Sequence, residues 1–156
     1  MKVTLLWVGK TNDKALDGMI QEYLNRLQHY VSVDVVTIPE LKNAKNLSVP
    51  QQKQMEGELI LQKVTPQTDL VLLDEHGMEF RSIEFADYMC KKQSAGRELM
   101  FVIGGPFGFS ETVYQRANGQ LSLSKMTFSH QMIRLLFAEQ LYRAMTILKG
   151  EKYHHE

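Results

Sequence analysis

Phe101-Val102-Ile103-Gly104-Gly105-Pro106-Phe107-Gly108-Phe109 runs an apolar segment into two glycines, a proline and a third glycine. An apolar run that stops so abruptly reads as a buried strand ending in a tight loop. Glycines accept positive φ and let another group approach the backbone, so the loop suits the rim of a ligand site. Gly-rich turns are common, so the loop by itself reads first as a plain strand-to-helix turn, and the surrounding segments have to decide between the two.

Upstream of the loop, strands and helices alternate. Lys2 to Val8 reads as a first strand. Asn12 is placed to cap a helix whose Leu16, Met19, Ile20, Tyr23, Leu24 and Leu27 follow the i, i+3, i+4 rule. Valine-rich Tyr30 to Ile38 is a second strand stopped by Pro39, and a polar loop with Lys42 and Lys45 follows. Pro50 suits the first turn of a helix running to about Val64. Asp69 to Leu73 is a short apolar strand, followed by Asp74-Glu75-His76-Gly77. Ser82 is placed to cap a helix through about Gln93, which Ser94-Ala95-Gly96 breaks. Glu98 to Ile103 is the strand that enters the opening loop.

Downstream, Ser110 caps a short helix, with Glu111 in its first turn. Leu121-Ser122-Leu123-Ser124 alternates as a fifth strand. Ser129 is placed to start a long helix to Lys149, with Gly150 at its C-terminal cap. That helix is apolar nearly all round, which calls for packing against its own sheet on one face and a second body, such as another subunit, on the other. The alternation predicts one α/β domain over residues 1–156, with a mainly parallel sheet and flanking helices. Ligands of such sheets sit at the C-terminal ends of the strands. The exit of strand one is Gly9-Lys10-Thr11-Asn12, and neither GxGxxG nor GxxxxGK[ST] occurs, so Rossmann and P-loop assignments fail and the site moves to the C-terminal half.

Composition narrows the function classes. Apolar residues are 44% and charged residues 23%, as in ordinary globular proteins, and no apolar run is long enough to span a membrane. The N-terminus lacks a signal-peptide cleavage pattern, so a cytoplasmic protein is expected. Eighteen basic side chains balance eighteen acidic ones, which disfavours a free-standing nucleic-acid binder but leaves room for a local basic patch. The single cysteine, Cys90, falls among Phe85, Ala86 and Met89 and reads as a half-buried filler. No Cys/His cluster has zinc spacing, and no metal is expected.

Taken together, Val71-Leu72-Leu73-Asp74 with Gly77, Phe101 to Gly108, Leu121 to Gln131, Glu139-Gln140-Leu141-Tyr142-Arg143-Ala144 and Tyr153-His154 closely resemble, in this order and spacing, the bacterial ribosomal RNA large subunit methyltransferase H family of the SPOUT class. The resemblance covers the whole chain. It implies a C-terminal trefoil knot, a homodimer, and methylation of N3 of a pseudouridine in 23S large-subunit rRNA with S-adenosyl-L-methionine. Knots are almost absent from proteins, and nothing in the periodicity points to one. By the same resemblance the cofactor is held by Leu73, Gly104 and the run Leu123, Ser124, Lys125, Met126, Thr127 and Phe128. Backbone amides and carbonyls between apolar walls suit an adenosine. Taken without the family, Leu73 reads as a core leucine and Gly104 as a turn glycine.

Removing the imide proton from N3 and aligning the reactants are the tasks left to the enzyme. His154, on a tail that can close over a site, is the first candidate for contact with the base or proton transfer. Arg143 suits a phosphate or base contact, or an ion pair with Glu139 four residues earlier. Tyr153 suits stacking on a base or anchoring of the tail. His130 reads as structural ahead of catalytic. The family often has proline where Ser129 stands, and a basic residue near the end where His155 and Glu156 stand, which weakens a terminal cation as a phosphate grip. A small neutral chain has little surface for selecting one nucleotide. A groove shared by two subunits, with one tail closing the other's cofactor site, and the assembled ribosome as substrate are therefore expected. Alternatives are another RNA such as a tRNA, a non-enzymatic ribosome-associated factor, and a flavodoxin-like nucleotide binder.

Overall fold

The computed structural model describes residues 1–155. Five parallel strands, β1 (Lys2–Val8), β2 (Ser32–Ile38), β3 (Thr68–Glu79), β4 (Glu98–Ile103) and β5 (Gly119–Ser122), form one sheet in the order β2-β1-β4-β3-β5. The helices are α1 (Lys14–Leu27), α2 (Val49–Leu61), α3 (Ser82–Ala95), α4 (Glu111–Arg116) and α5 (Met132–Leu148), with a 3₁₀ turn at Ala44–Asn46. Successive strand side chains point to opposite faces, so both faces can be buried. Val3, Leu5, Trp7, Val71, Leu99, Phe101 and Ile103 pack under α1, α3 and α5. Leu6, Val8, Leu70, Leu72, Met100 and Val102 pack under α2 and α4. The alternating α/β reading and the parallel sheet hold.

Several local readings are corrected. Asp13, not Asn12, caps α1, its carboxylate accepting from the Leu16 amide, while the Asn12 amide donates to Gln131. The cap of α2 is Ser48, in a reciprocal box with Gln51. Ser82 lies one residue inside α3 and donates its hydroxyl to Gln140. Ser129 caps a turn that precedes α5, its Oγ accepting from Met132 N at 3.0 Å. Cys90 is exposed.

The largest difference is β3. It continues to Glu79, but with a register shift, so that Leu73 and Met78 both lie opposite Leu121. Residues 74–77 bulge out between them. Gly77 allows the chain to return, since a Cβ there would stand 2.6 Å from the Leu121 amide nitrogen.

The apolar surplus of α5 is mostly spent within the chain. The helix lies between α1 and α3 and buries Phe137, Ala138, Leu141, Ala144 and Met145, leaving Met132 and Leu148 exposed and Leu136 half-buried. Its first turn is fixed by Arg134, which is 1% exposed. The guanidinium donates to the carbonyls of Val8 (2.7 Å), Gly9 (3.0 Å) and His130 (3.2 Å) and to Thr11 Oγ1 (2.9 Å), and lies 5.0 Å from the centroid of Trp7. Burial lowers its pKa to about 10, so the cation persists at neutral pH on carbonyl dipoles and a ring face.

Arg134→Met leaves these acceptors buried and unpaired. We expect a loss of about 3 kcal/mol or more in unfolding free energy, since each orphaned buried polar group costs roughly 1–3 kcal/mol. Arg134→Lys should recover only part of this, because an ammonium cannot span the same fork. Urea unfolding of the two variants measures both losses.

Candidate functional site

The exits of β3, β4 and β5 close around one cavity of about 340 Å³ at the C-terminal edge of the sheet. This is within the range of small-molecule sites, roughly 300–1,000 Å³. The β3 exit contributes Leu73, Asp74, Glu75 and His76; the β4 exit contributes the segment from Ile103 to Phe109. The last wall is Leu121 to Ser124 with Met126, Thr127 and Phe128, followed by His130 and Ile133. The opening loop is therefore a rim as well as a turn. The Gly108 amide donates to the Gly105 carbonyl at 3.2 Å, and Pro106 and Gly108 (φ 81°) occupy the positions such turns favour.

Of the expected cofactor residues, Leu73, Gly104, Leu123, Ser124, Met126, Thr127 and Phe128 line this cavity. Lys125 does not: its side chain is 87% exposed and turns toward Glu79 at 4.0 Å. The local reason is a bend closed by the Met126 amide on Ser124 Oγ, which turns the intervening side chain outward. Any contribution of Lys125 to the cavity would come from its backbone.

Two acidic groups hold the walls. Asp74 accepts from the Tyr114 hydroxyl in a very short bond and from the His76 amide at 2.9 Å, tying the β3 exit to α4. Burial pushes its carboxyl upward, but the bonds from Tyr114 and His76 outweigh it and hold the pKa below the ordinary value. The Thr127 hydroxyl donates to Glu75 at 2.6 Å, joining the β5 loop to the β3 exit. His130 has its pKa lowered by burial and then by the Arg134 charge, which favours the neutral ring and agrees with its structural reading. Sequence reasoning assigned no role to Tyr114, Glu75 or Ile133. Their neighbours across the cavity are far away in the chain, so no local pattern marks them.

The expected catalytic residues form a second cluster. Arg143 donates to Glu139 Oε1 at 2.5 Å and to His154 Nδ1 at 3.2 Å, and its guanidinium lies 4.7 Å from the Tyr153 ring centroid. The Tyr153 hydroxyl donates to the same Glu139 oxygen at 3.0 Å, and its ring meets Tyr142 edge-on. Of the two readings of Arg143, the ion pair with Glu139 is the one present in this chain, and Tyr153 anchors the tail. Burial, and then bonding to Tyr23 and Glu139, raises the Tyr153 pKa, so the phenol stays protonated. None of the three lines the cavity. Arg143 lies ten residues beyond Ile133 in α5, about 15 Å along a helix rising ~1.5 Å per residue. Glu156 lies outside the described residues.

Because the Asp74 carboxyl is held below its ordinary 3.8, the stability it contributes is complete above that value and lost as pH falls through the folded-state pKa. Tyr114→Phe weakens the hold, so the acid limb of the stability–pH curve should move to higher pH. Urea midpoints measured from neutral pH down to about pH 3, the range where a carboxylate titrates, check this.

The family model described as a predicted SPOUT methyltransferase matches residues 1–154. A protein of Bacteroides thetaiotaomicron named ribosomal RNA large subunit methyltransferase H is 59% identical over 157 aligned positions, covering 100% of both chains. One of the same name from Flavobacterium psychrophilum is 54% identical, again over 100% of both. The solved SpoU methyltransferase AviRb from Streptomyces viridochromogenes, in complex with AdoMet, aligns with a TM-score of 0.45 and 12% identity, covering 96% of this chain and 61% of that one. On full-length identity at this level, the chain belongs to the SPOUT methyltransferases, in the ribosomal RNA large subunit methyltransferase H family.

Proposed function

We propose that the protein is an S-adenosyl-L-methionine-dependent methyltransferase acting on N3 of a pseudouridine in 23S large-subunit rRNA, in the cytoplasm, on the assembled ribosome. The observation that carries the reading is the joining of three strand exits into one cavity in a chain that matches this family from end to end. Backbone groups around Gly104 and apolar walls from Leu73, Ile103, Leu123 and Ile133 fit an adenosine, with Asp74 and Glu75 complementing a cationic donor. No helix among the described residues is long and apolar enough to cross a membrane.

The cofactor, when bound, supplies a methyl group activated by its sulfonium. The chain's own tasks are to hold the base in line and to manage the imide proton. A guanidinium only donates, so His154 Nδ1 accepts from Arg143 and the ring proton sits on Nε2. With Nδ1 engaged by Arg143, it is not open to take the imide proton in this arrangement. Arg143 fixes the ring and adds positive charge that favours an N3 anion. Tyr153, tied to Glu139, keeps the tail in place.

These groups cannot meet the cavity of their own chain along a rigid α5. A homodimer resolves the separation, with one subunit's tail over its partner's cofactor site. The exposed Met132 and Leu148 and the half-buried Leu136 support such a second body. The fold reading includes a trefoil knot in the C-terminal third. The grip of Arg134 on the β1 exit, with Gln131 bonded to both Lys10 and Asn12, supports a C-terminal segment locked into the body of the domain.

Titration with S-adenosyl-L-methionine by calorimetry should give saturable binding; absence of heat at any concentration sinks the enzyme reading. Mass spectrometry of rRNA from a deletion strain should show one methyl lost from one pseudouridine, and an unchanged rRNA rules out this target. For the shared site, Gly104→Val and His154→Ala homodimers should each be nearly inactive. Mixing them should restore about a quarter of wild-type activity, because half the dimers are mixed and each carries one intact site. No recovery after verified exchange argues for sites built from one chain.

A further inference from the structure

The methyl-donor reading leaves one charged group beside the cavity without a task. Glu56, on α2, is half-buried and does not line the cavity, yet its Oε1 accepts from the Gly105 amide at 3.1 Å. The fit is close: a Cβ on Gly105 would stand 2.9 and 3.0 Å from the two carboxylate oxygens. The next residue, Gly57, faces the far end of the same loop, where a Cβ would fall 2.5 Å from Ser110 Oγ. Adjacent residues of α2 therefore brace both ends of the segment that forms one cavity wall.

Peptide geometry turns this brace into a statement about the ligand. The 104–105 peptide is trans, as are the others among the described residues, so the Gly104 carbonyl and the Gly105 amide point in opposite directions across one planar unit. The amide is taken up by Glu56, which is not among the lining residues. The carbonyl of Gly104, a residue that lines the cavity, therefore lies on the side of the peptide opposite Glu56. The turn's own closing bond uses the Gly105 carbonyl, not this one. A carboxylate on the amide also polarises the peptide and strengthens its carbonyl as an acceptor.

We propose that Glu56 is a positioning residue that locks the 104–105 peptide so that the Gly104 carbonyl accepts a hydrogen bond from the nucleoside half of the cofactor. The inference rests on the S-adenosyl-L-methionine reading and adds to it which atom of the loop recognises which half of the ligand. Without the carboxylate the two glycines leave the peptide free to turn over, and the acceptor is lost to the ligand. Methionine-side recognition and the chemical step do not involve this peptide.

Calorimetry on the full-length protein tests it with three probes: S-adenosyl-L-methionine, S-adenosylhomocysteine and methylthioadenosine, which lacks the amino-acid portion. Glu56→Ala should weaken all three by a similar factor, about tenfold for one hydrogen bond. Glu56→Gln, which keeps a neutral acceptor, should recover most of the loss. In turnover assays the KM for the methyl donor should rise, with kcat and the KM for rRNA unchanged. A loss confined to probes carrying the amino-acid portion, unchanged binding in Glu56→Ala, or equal falls in kcat and affinity with no rescue by Glu56→Gln would each overturn the proposal. If the wild-type protein binds none of the probes, the cofactor reading itself fails, which is a separate outcome.

Discussion

A guanidinium buried among carbonyl oxygens, with no carboxylate among the described residues bonded to it, holds the architecture together. Arg134 fastens the start of α5 to the last residues of β1, and every acceptor it uses comes from the β1 exit or from the turn before α5. Desolvating a cation is costly, and here the cost is met by several oriented dipoles and the face of Trp7. Because α5 is fixed at this end, the segment from Leu123 to His130 must cross above the strand exits. It becomes the third wall of the cavity for that reason.

The walls are then joined by a few bonds between segments remote in the chain. Tyr114 reaches Asp74, Thr127 reaches Glu75, and Glu56 reaches Gly105. Each links a loop to a regular element or to another loop, so loops rich in glycine and serine acquire one arrangement. The cavity lining combines the glycines of the β4 exit with apolar side chains and a group of polar residues from the β3 and β5 exits. Glu56 braces it from outside the lining, while Asp74 and Glu75 stand in it.

The tail follows a different logic. Glu139, Arg143, Tyr153 and His154 are bonded to one another within a single chain, at a distance from the cavity that a rigid helix sets. A polar cluster bonded in this way, and tied to Tyr23 of α1, keeps its geometry without the substrate. In the dimer proposed here it meets the cavity of another copy already organised, which lowers the entropy lost on assembling the site.

Much of this was legible in the residues themselves. Alternating apolar strands, the glycine-proline loop and the apolar last helix determine an α/β domain with its site at the C-terminal strand ends, because periodicity and turn chemistry are local properties. The ordered motifs determine the family, and with it the residues expected around the cofactor; of these, Leu73, Gly104 and most of Leu123 to Phe128 do converge. Tertiary structure alone decided the register shift at Leu73/Met78, the outward turn of Lys125, the burial of Arg134 and the pairing of Glu56 with Gly105. Each of these depends on a contact between residues far apart in the chain, and single-sequence patterns carry no information about which distant partner a side chain will meet.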